Sequence, residues 1–407
     1  MGARTALRLG RVAGIEILVD WSLLIIFSLI TLSLGAGLFP AWHPDWGPLL
    51  IWGTAIAAAL LFFGSVLLHE LSHAIVGRAN GIPIPRITLF MFGGMAHMEK
   101  EPPSWRAELY MAAVGPITSL VLGFVFLGLA KVVIGPMEID PDNPQQSFAT
   151  LGPTVSLLMW LGPINIILGL FNLVPGFPLD GGRILRAALW GATGDLLTAT
   201  RRASAVGQGF AWVLMGSGFL MILGLRVPIF GAGFINGLWL ALIGWFLNNA
   251  AVMSYRQLLV HQWLEDVPVL RIMHTRFERV APQLSLQALV DEHLMPSGQR
   301  AFPVEERGQF IGMICLRDLP KRPRDAWRTT TVGDIMTPRH ELVTLSPEQD
   351  AAAALDLFGK RDVNQLPVLK NGQLLGFVRR EDILKWLSLH AGLTVTEGGR
   401  PASRPLG

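Results

Sequence analysis

The stretch Leu68-His69-Glu70-Leu71-Ser72-His73-Ala74 lies near the end of an apolar run from Ile51 to Val76 and decides how this chain is interpreted. Two histidines four residues apart share one face of a helix, so both imidazoles can bind the same metal ion. A glutamate directly after the first histidine is typical of zinc hydrolases, in which it is the general base. Because ionisable groups are costly inside a bilayer and usually functional there, the stretch predicts zinc-dependent hydrolysis within a membrane.

The composition indicates a membrane protein with several spans. Of the 407 residues, 51% are hydrophobic and 15% are charged, whereas ordinary soluble domains carry about 25% charged residues. The formal net charge of +3 is too small to indicate a nucleic-acid partner. The single cysteine, Cys315, excludes an intrachain disulfide framework and a cysteine-rich zinc site. The composition thus predicts the lipid bilayer as a partner and no nucleic acid.

Six apolar segments are long enough to cross a bilayer. The predicted spans are Ile15–Leu38, Ile51–Val76, Trp105–Val133, a fourth that starts near Val155 and breaks after Asn172, Val206–Leu225 and Phe234–Met253. The arginine-rich connections fall on one side of this arrangement, and the positive-inside rule assigns that side, with both termini, to the cytoplasm. The sequence therefore predicts a multi-pass protein of a prokaryotic cytoplasmic (inner) membrane.

The segment Ile82–Met98, between the second and third spans, is too short and too broken to be a span. It alternates moderately, contains Pro83 and Pro85, and centres on Phe92-Gly93-Gly94-Met95. A β-hairpin or a re-entrant loop fits this pattern, since non-helical backbone at membrane depth needs a cavity lined by protein.

Asp180 is the candidate third metal ligand. A catalytic zinc ion takes three protein ligands and leaves one position for water, and His69 and His73 supply only two. Asp180 follows the broken fourth span on the same predicted membrane face as the histidines, and Gly181-Gly182 permits a close backbone approach. Taken alone, an aspartate before two glycines is more often a helix cap or a turn residue.

Glu70 and Asn172 are the candidate catalytic residues. Glu70 would take a proton from the attacking water and deliver it to the leaving amine. Asn172, one amide in an otherwise apolar span, would donate a hydrogen bond to the developing oxyanion or hold the substrate backbone, although a cap on the broken helix explains it equally well. A purely structural network of His69, Glu70 and His73 is disfavoured, because burying three such groups without a metal is costly.

These motifs carry a family resemblance. The stretch Leu68–Ala74, taken with Asn172-Leu173-Val174-Pro175-Gly176-Phe177-Pro178-Leu179-Asp180-Gly181-Gly182-Arg183, resembles the site-2 protease family of intramembrane zinc metalloproteases. Gly115-Pro116 and Phe92-Gly93-Gly94 resemble two further motifs of that family. The resemblance covers residues 1–255 and implies a six-span core with Zn²⁺ held by His69, His73 and Asp180, Glu70 as the general base and Asn172 assisting.

The same resemblance implies a substrate class. The substrate would be a transmembrane protein, such as a membrane-bound anti-sigma factor or a similar single-span protein, cut within or near its transmembrane helix. The hairpin in Ile82–Met98 would then be an edge on which an unwound substrate pairs as a strand.

After Tyr255 the pattern changes to short strands and helices with an internal repeat. Phe302-Pro303-Val304 recurs as Leu366-Pro367-Val368, and Asp318-Leu319 recurs as Asp382-Ile383, each 64 positions later (366−302, 382−318). This duplicated α/β unit resembles a tandem pair of cystathionine-β-synthase (CBS) domains, covering 256–325 and 326–391. Residues 392–407, rich in Gly, Pro, Ser and Arg, are predicted to be a disordered tail.

The CBS resemblance implies binding of an adenine nucleotide, ATP, ADP or AMP, with Asp318 and Asp382 as the ribose-binding residues. That family usually has a Ser or Thr three residues before each aspartate, whereas this sequence has Cys315 and Arg379 there. Arg379 or Arg380 would be alternatives for meeting a phosphate. A rigid pairing module without ligand, which dimerises the protein, is the competing interpretation.

The sequence thus predicts an α-helical polytopic membrane protein of six transmembrane helices plus a re-entrant β-hairpin, followed by an α/β tandem CBS pair. Its predicted function is a zinc metalloendopeptidase for regulated intramembrane proteolysis, with the CBS pair regulating activity. A CBS-regulated ion transporter is one alternative. It would spread ligands over several spans, whereas the ionisable groups of this chain cluster at the His69–His73 motif. A catalytically inactive scaffold that binds membrane helices is another, although every chemical group that catalysis needs is present.

Overall fold

The structure, a computed structural model, describes residues 6–91, 93–98, 100–134, 150–361 and 363–394. The chain divides into two compact units, Met1–Arg256 and Gln257–Gly407. The two units are described separately below.

Six of the described helices are long and apolar enough to cross a membrane, as predicted. They are α1 (Leu23–Trp42), α2 (Pro48–Ala79), α3 (Trp105–Ile134), α4 (Pro153–Asn172), α6 (Leu196–Ile222) and α7 (Phe234–Glu265). A shorter helix, α5 (Asp180–Thr193), stands between α4 and α6. The break between α4 and α5 contains Pro175 and Pro178, which cannot continue a regular helix.

The first span begins at Leu23 and not at Ile15, so the predicted start is wrong. Residues Ile15–Asp20 form strand β2, which pairs antiparallel with β1 (Ala6–Val12). The two-residue connection, Ala13-Gly14, has φ of 51° and 76°, as the tight turns of twisted hairpins require. Within the apolar run, Ile15 and Ile17 are buried whereas Glu16 pairs with Arg8 at 2.7 Å. This period of two, hidden by overall hydrophobicity, is what selects a strand.

The predicted hairpin in Ile82–Met98 is confirmed, and it belongs to a larger sheet. Strand β3 (Arg86–Phe90) pairs antiparallel with β4 (Gly93–His97), and β2 pairs parallel with β3, so the order is β1-β2-β3-β4. Buried Ile87 and Leu89 pack in one core with Val66 and Ala74 of α2. The sheet therefore rests on the helix that carries the histidines, with β4 at one edge. Phe92 of the predicted motif lies outside the described residues.

The second unit contains two equivalent β-hairpins. β5 (Ala301–Glu306) pairs antiparallel with β6 (Gln309–Cys315), and β8 (Gln365–Lys370) pairs antiparallel with β9 (Gln373–Arg379). Phe302 faces Ile314 in the first hairpin and Leu366 faces Val378 in the second, an offset of 64 positions (366−302, 378−314). The sequence repeat is thus also a repeat of strand register.

The two halves of the repeat interlock. β7 (Thr337–Pro338), from the second half, pairs with β6 of the first, and His274 of the first half bridges to Phe377 in β9. Val269 belongs to the core around β8 and β9. The predicted boundary between 325 and 326 therefore separates the two repeats along the sequence, but segments from each side of it pack into the other half.

The helices of the second unit cover its two hairpins. They are α8 (Val269–Ile272), α9 (Leu286–Ala288), α10 (Val332–Ile335), α11 (Ala351–Lys360) and α12 (Arg380–Thr394). Because α12 runs to Thr394, the tail predicted from 392 starts too early by three residues. Residues 395–407 lie outside the described part of the chain.

Candidate metal centre

Three ligand atoms from His69, His73 and Asp180 meet at one point. The two histidine Nε2 atoms lie 3.2 Å apart, and Asp180 Oδ2 lies 3.1 Å from that of His69 and 3.2 Å from that of His73. In a tetrahedral zinc site, bonds of about 2.0–2.1 Å place neighbouring ligands roughly 3.3 Å apart. The triangle therefore has the dimensions and the donor set of a zinc site with a fourth position to spare. Within the described residues, it is the one group of three His, Cys, Asp or Glu side chains that could hold a metal ion.

The two imidazoles are oriented by helix α3. Nδ1 of His73 donates to the backbone carbonyl of Met111 at 2.6 Å, and Nδ1 of His69 lies 2.9 Å from the hydroxyl of Ser119. A neutral imidazole that donates from Nδ1 has an unprotonated Nε2, which is the form that binds a metal. Sequence reasoning missed both partners. Ser119, a hydroxyl within an apolar span, was the available signal, whereas a backbone carbonyl leaves none.

Gly115 lies between these two partners on α3 and directly over the imidazoles. A Cβ at this position would lie 2.1 Å from Nε2 of His73 and 2.8 Å from Nε2 of His69. The residue is part of the Gly115-Pro116 motif singled out in the sequence. The structure gives a physical reason for the glycine, because any side chain here would occupy the metal site.

Glu70 faces the hairpin. A Cβ on Gly94, in strand β4, would lie 2.2 Å from Cγ of Glu70 and 2.7 Å from its Cδ. The edge strand thus packs against the candidate base and needs a glycine to do so. Glu70 is half-buried, and within the described ranges no hydrogen bond joins its carboxylate to another residue. The carboxylate is therefore placed beside the metal ligands without being committed to another protein group.

Asp180 is the first residue of α5, and a tight turn presents it to the histidines. A Cβ on Gly181 would lie 2.3 Å from the carbonyl oxygens of both Leu173 and Val174. The start of α5 therefore folds directly onto the chain that leaves α4. The predicted function of Gly181-Gly182, close backbone approach, fits this geometry.

Asn172 and His97 do not join the metal cluster. The amide of Asn172 donates to the carbonyl of Leu168 in its own helix, at 3.0 Å. Its assistance to catalysis therefore stays a prediction. Nε2 of His97 instead forms a hydrogen bond with the hydroxyl of Thr88 at 3.1 Å.

Arg186 and Glu108 form a buried ion pair that the sequence did not reveal. In the sequence, Arg186 is one of several arginines that follow the broken fourth span. The structure buries it, with Nε donating to Oε1 of Glu108 at 2.6 Å and Nη2 lying 3.3 Å from Glu101. Although burial disfavours its charge, Glu108 and Glu101 hold the pKa of Arg186 above its usual value. The pair joins α3 to α5.

The two aspartates of the CBS repeats occupy equivalent positions but differ in their partners. Asp318 accepts from the N–H of Cys315 at 2.8 Å and pairs with Lys321 at 2.7 Å. Asp382 accepts from the N–H, Nε and Nη2 of Arg379 at 3.0–3.1 Å, so that the arginine engages both carboxylate oxygens. Burial and the charge of Asp318 raise the pKa of the Cys315 thiol to about 11. The thiol is therefore protonated at neutral pH.

Comparisons with known proteins agree with both units. Residues 57–216 match peptidase family M50, and residues 332–389 match the CBS domain. Rip3 of Mycobacterium tuberculosis, named as a zinc metalloprotease, is 32% identical over 95% of this chain and 94% of its own length. A protein of Synechocystis sp., also named as a zinc metalloprotease, is 33% identical over 95% of this chain and 96% of its own.

Among solved structures, the site-2 protease of Methanocaldococcus jannaschii is similar to this chain. It is 28% identical, and the match covers 61% of this chain and 95% of that structure, with a TM-score of 0.39.

Proposed function

This chain belongs to peptidase family M50 and is a zinc metalloprotease of the site-2 protease type with a CBS domain. We propose that it cuts other membrane proteins within their transmembrane segments. The observation that carries the proposal is the triangle of His69, His73 and Asp180 ligand atoms, two of whose members lie on a membrane-length apolar helix. Hydrolytic groups at such a position are best explained by a substrate that is itself in the membrane.

We propose that these three side chains bind Zn²⁺ and that Glu70 is the general base. When bound, zinc would polarise the scissile carbonyl and acidify a water molecule enough for it to ionise near neutral pH. Glu70 accepts the proton of the attacking water and delivers it to the leaving amine nitrogen as the peptide bond breaks. The amide of Asn172 donates to the carbonyl oxygen as negative charge develops there. The contact between Gly94 and Glu70 supports this assignment, because it puts the base next to a strand edge.

The substrate is proposed to pair as a strand with β4. A transmembrane helix hides its carbonyls in its own hydrogen bonds, so it must unwind before it can be cut. An edge strand offers the replacement hydrogen bonds, and β4 is the edge of the described sheet that contacts Glu70. Single-span proteins, of which a membrane-bound anti-sigma factor is an example, are the substrate class with the fewest competing helix contacts.

The protein is proposed to reside in a prokaryotic cytoplasmic membrane with both termini in the cytoplasm. The arginine-rich connections support this orientation through the positive-inside rule. The CBS pair, in 256–391, would then lie in the cytoplasm. We propose that it regulates proteolysis by binding an adenine nucleotide and by pairing two copies of the chain.

Substrate trapping tests the proposed activity. Cells that produce the Glu70→Gln protein should accumulate intact single-span proteins that copurify with it, and the active enzyme should cut these same proteins inside their predicted spans. Mass spectrometry of the fragments locates the cut. Cleavage only at sites in soluble loops, or unchanged cleavage by the Glu70→Gln protein, would contradict the proposal.

A further inference from the structure

We propose that Arg186, through its buried ion pair with Glu108, is a positioning residue for the metal ligand Asp180. The inference rests on the proposed metal site and deepens it. Arg186 is not a ligand itself, but it would hold the carboxylate of Asp180 at the distance from His69 and His73 that a shared metal ion requires.

The ion pair is buried on both sides. Glu108 is 0% exposed and Arg186 is 5% exposed. Both Nε and Nη2 of the guanidinium reach the same oxygen, Oε1 of Glu108, while Oε2 is buried without a hydrogen-bond partner in the part of the chain that the structure describes. Because a buried carboxylate with one partner depends entirely on that partner, the pair fixes the distance between α3 and α5 at this level.

Glu108 stands on the face of α3 that also supports the two histidines. Met111, Gly115 and Ser119 follow it at spacings of three, four and four residues, which places all four on one side of the helix. Met111 and Ser119 bond to the imidazoles, and Gly115 leaves room for them. One helix face therefore aligns both histidines and, through Glu108, anchors the helix that carries the third ligand.

The segment around Asp180 is held at both ends. Arg186 follows Asp180 by six residues on α5, about 9 Å along the helix axis. Its guanidinium also lies over the ring of Phe177, 5.4 Å from the centroid, and Phe177 belongs to the turn just before Asp180. A single cation thus fixes the turn and the helix on either side of the ligand, whose carboxylate then needs little freedom to meet the imidazoles.

The test measures zinc affinity and not proteolysis. Full-length protein is purified in detergent, and the zinc dissociation constant is obtained by competition with a chromophoric chelator. Thermal unfolding of the zinc-free protein is followed in parallel. The variants are Glu108→Gln, which keeps the shape of the side chain, and the double variant Glu108→Leu with Arg186→Met, which replaces the pair by apolar groups. Asp45→Asn, at an exposed aspartate between α1 and α2, controls for the loss of one negative charge.

We expect zinc to bind at least threefold more weakly to Glu108→Gln and at least tenfold more weakly to the double variant, as is usual when groups behind a ligand are removed. An apolar pair can restore the stability that a broken ion pair loses, so the double variant should unfold near the temperature of the wild type despite its weak zinc binding. Wild-type zinc affinity in either folded variant would overturn the inference.

Asp180→Ala separates this inference from the metal site on which it rests. If Asp180→Ala weakens zinc binding while the ion-pair variants do not, only the positioning function of Arg186 fails. If Asp180→Ala leaves zinc binding unchanged, the proposed ligand set itself is wrong.

Discussion

His73 Nδ1 donates to the backbone carbonyl of Met111 across 2.6 Å, so the second histidine of the metal motif is aimed by a helix that does not carry the motif. His69 is held from the same helix, through Ser119. The motif on α2 supplies the ligands, and hydrogen-bond partners on α3 orient them. Variants on α3 should therefore change metal binding although none of them is a ligand.

Ser119→Ala is the mildest such change. It removes the hydroxyl that bonds to Nδ1 of His69, so the imidazole loses its fixed orientation and part of its basicity. Zinc affinity should fall by about tenfold or more, measured by chelator competition on purified protein. Thr118→Ala is the matched control, because among the residues that the structure describes the hydroxyl of Thr118 donates only to the carbonyl of Val114 in its own helix. Equal zinc affinities of the two variants would show that Ser119 does not orient the ligand.

Gly115→Ala should abolish zinc binding by occupying the site. The added methyl would lie 2.1 Å from Nε2 of His73, and α3 cannot withdraw without breaking the bonds to both imidazoles. The zinc content should fall below about a tenth of that of the wild type by elemental analysis, and cleavage should fall with it. Gly128→Ala, on the same helix with nothing within 4 Å of the new Cβ, should keep both. Full zinc content in Gly115→Ala would mean that the imidazoles point elsewhere.

Asp180→Ala and Glu70→Gln should separate metal binding from proton transfer. Without the carboxylate of Asp180, two histidines alone should hold zinc too weakly to survive purification. Glu70→Gln should keep its zinc, because the ligand triangle is intact, and lose cleavage by about 10²–10⁴-fold, the usual contribution of a general base. Elemental analysis and a cleavage assay on the same samples check both. Zinc loss from Glu70→Gln would place Glu70 among the ligands.

The parts of the candidate site that could be predicted are those formed by residues close together in the sequence. His69 and His73 are one helical turn apart, so their spacing alone brings them together, and Pro175 with Pro178 indicates the break that frees Asp180. The carbonyl of Met111 could not be predicted, since every residue has one and only the packing of α2 on α3 selects it. The burial of Arg186 could not be predicted for a related reason, because an exposed arginine and one that is buried in an ion pair look the same in a sequence.

The fold was predictable except where a continuous apolar run hides the alternation of a strand, and where strands pair across a long separation in sequence. Ile15 opens a long apolar run, and its hydropathy hides the alternation that makes Ile15–Asp20 a strand. The parallel pairing of β2 with β3 joins segments separated by two spans, and no local pattern encodes such a contact. The hairpin β3–β4 was found because its turn and its strands are neighbours in the chain.

Arg379→Thr tests whether adenine nucleotides use the CBS aspartates. In the wild type, Arg379 engages both oxygens of Asp382, so a ribose would have to displace a charged partner. The threonine restores the hydroxyl that the CBS resemblance implies, and freeing the carboxylate should tighten binding of AMP or ATP to the full-length protein by roughly tenfold, the free energy of one good hydrogen bond. Isothermal titration calorimetry measures the change, and adding Asp382→Ala should cancel it. Weaker binding in Arg379→Thr would instead identify Arg379 as a phosphate-binding residue.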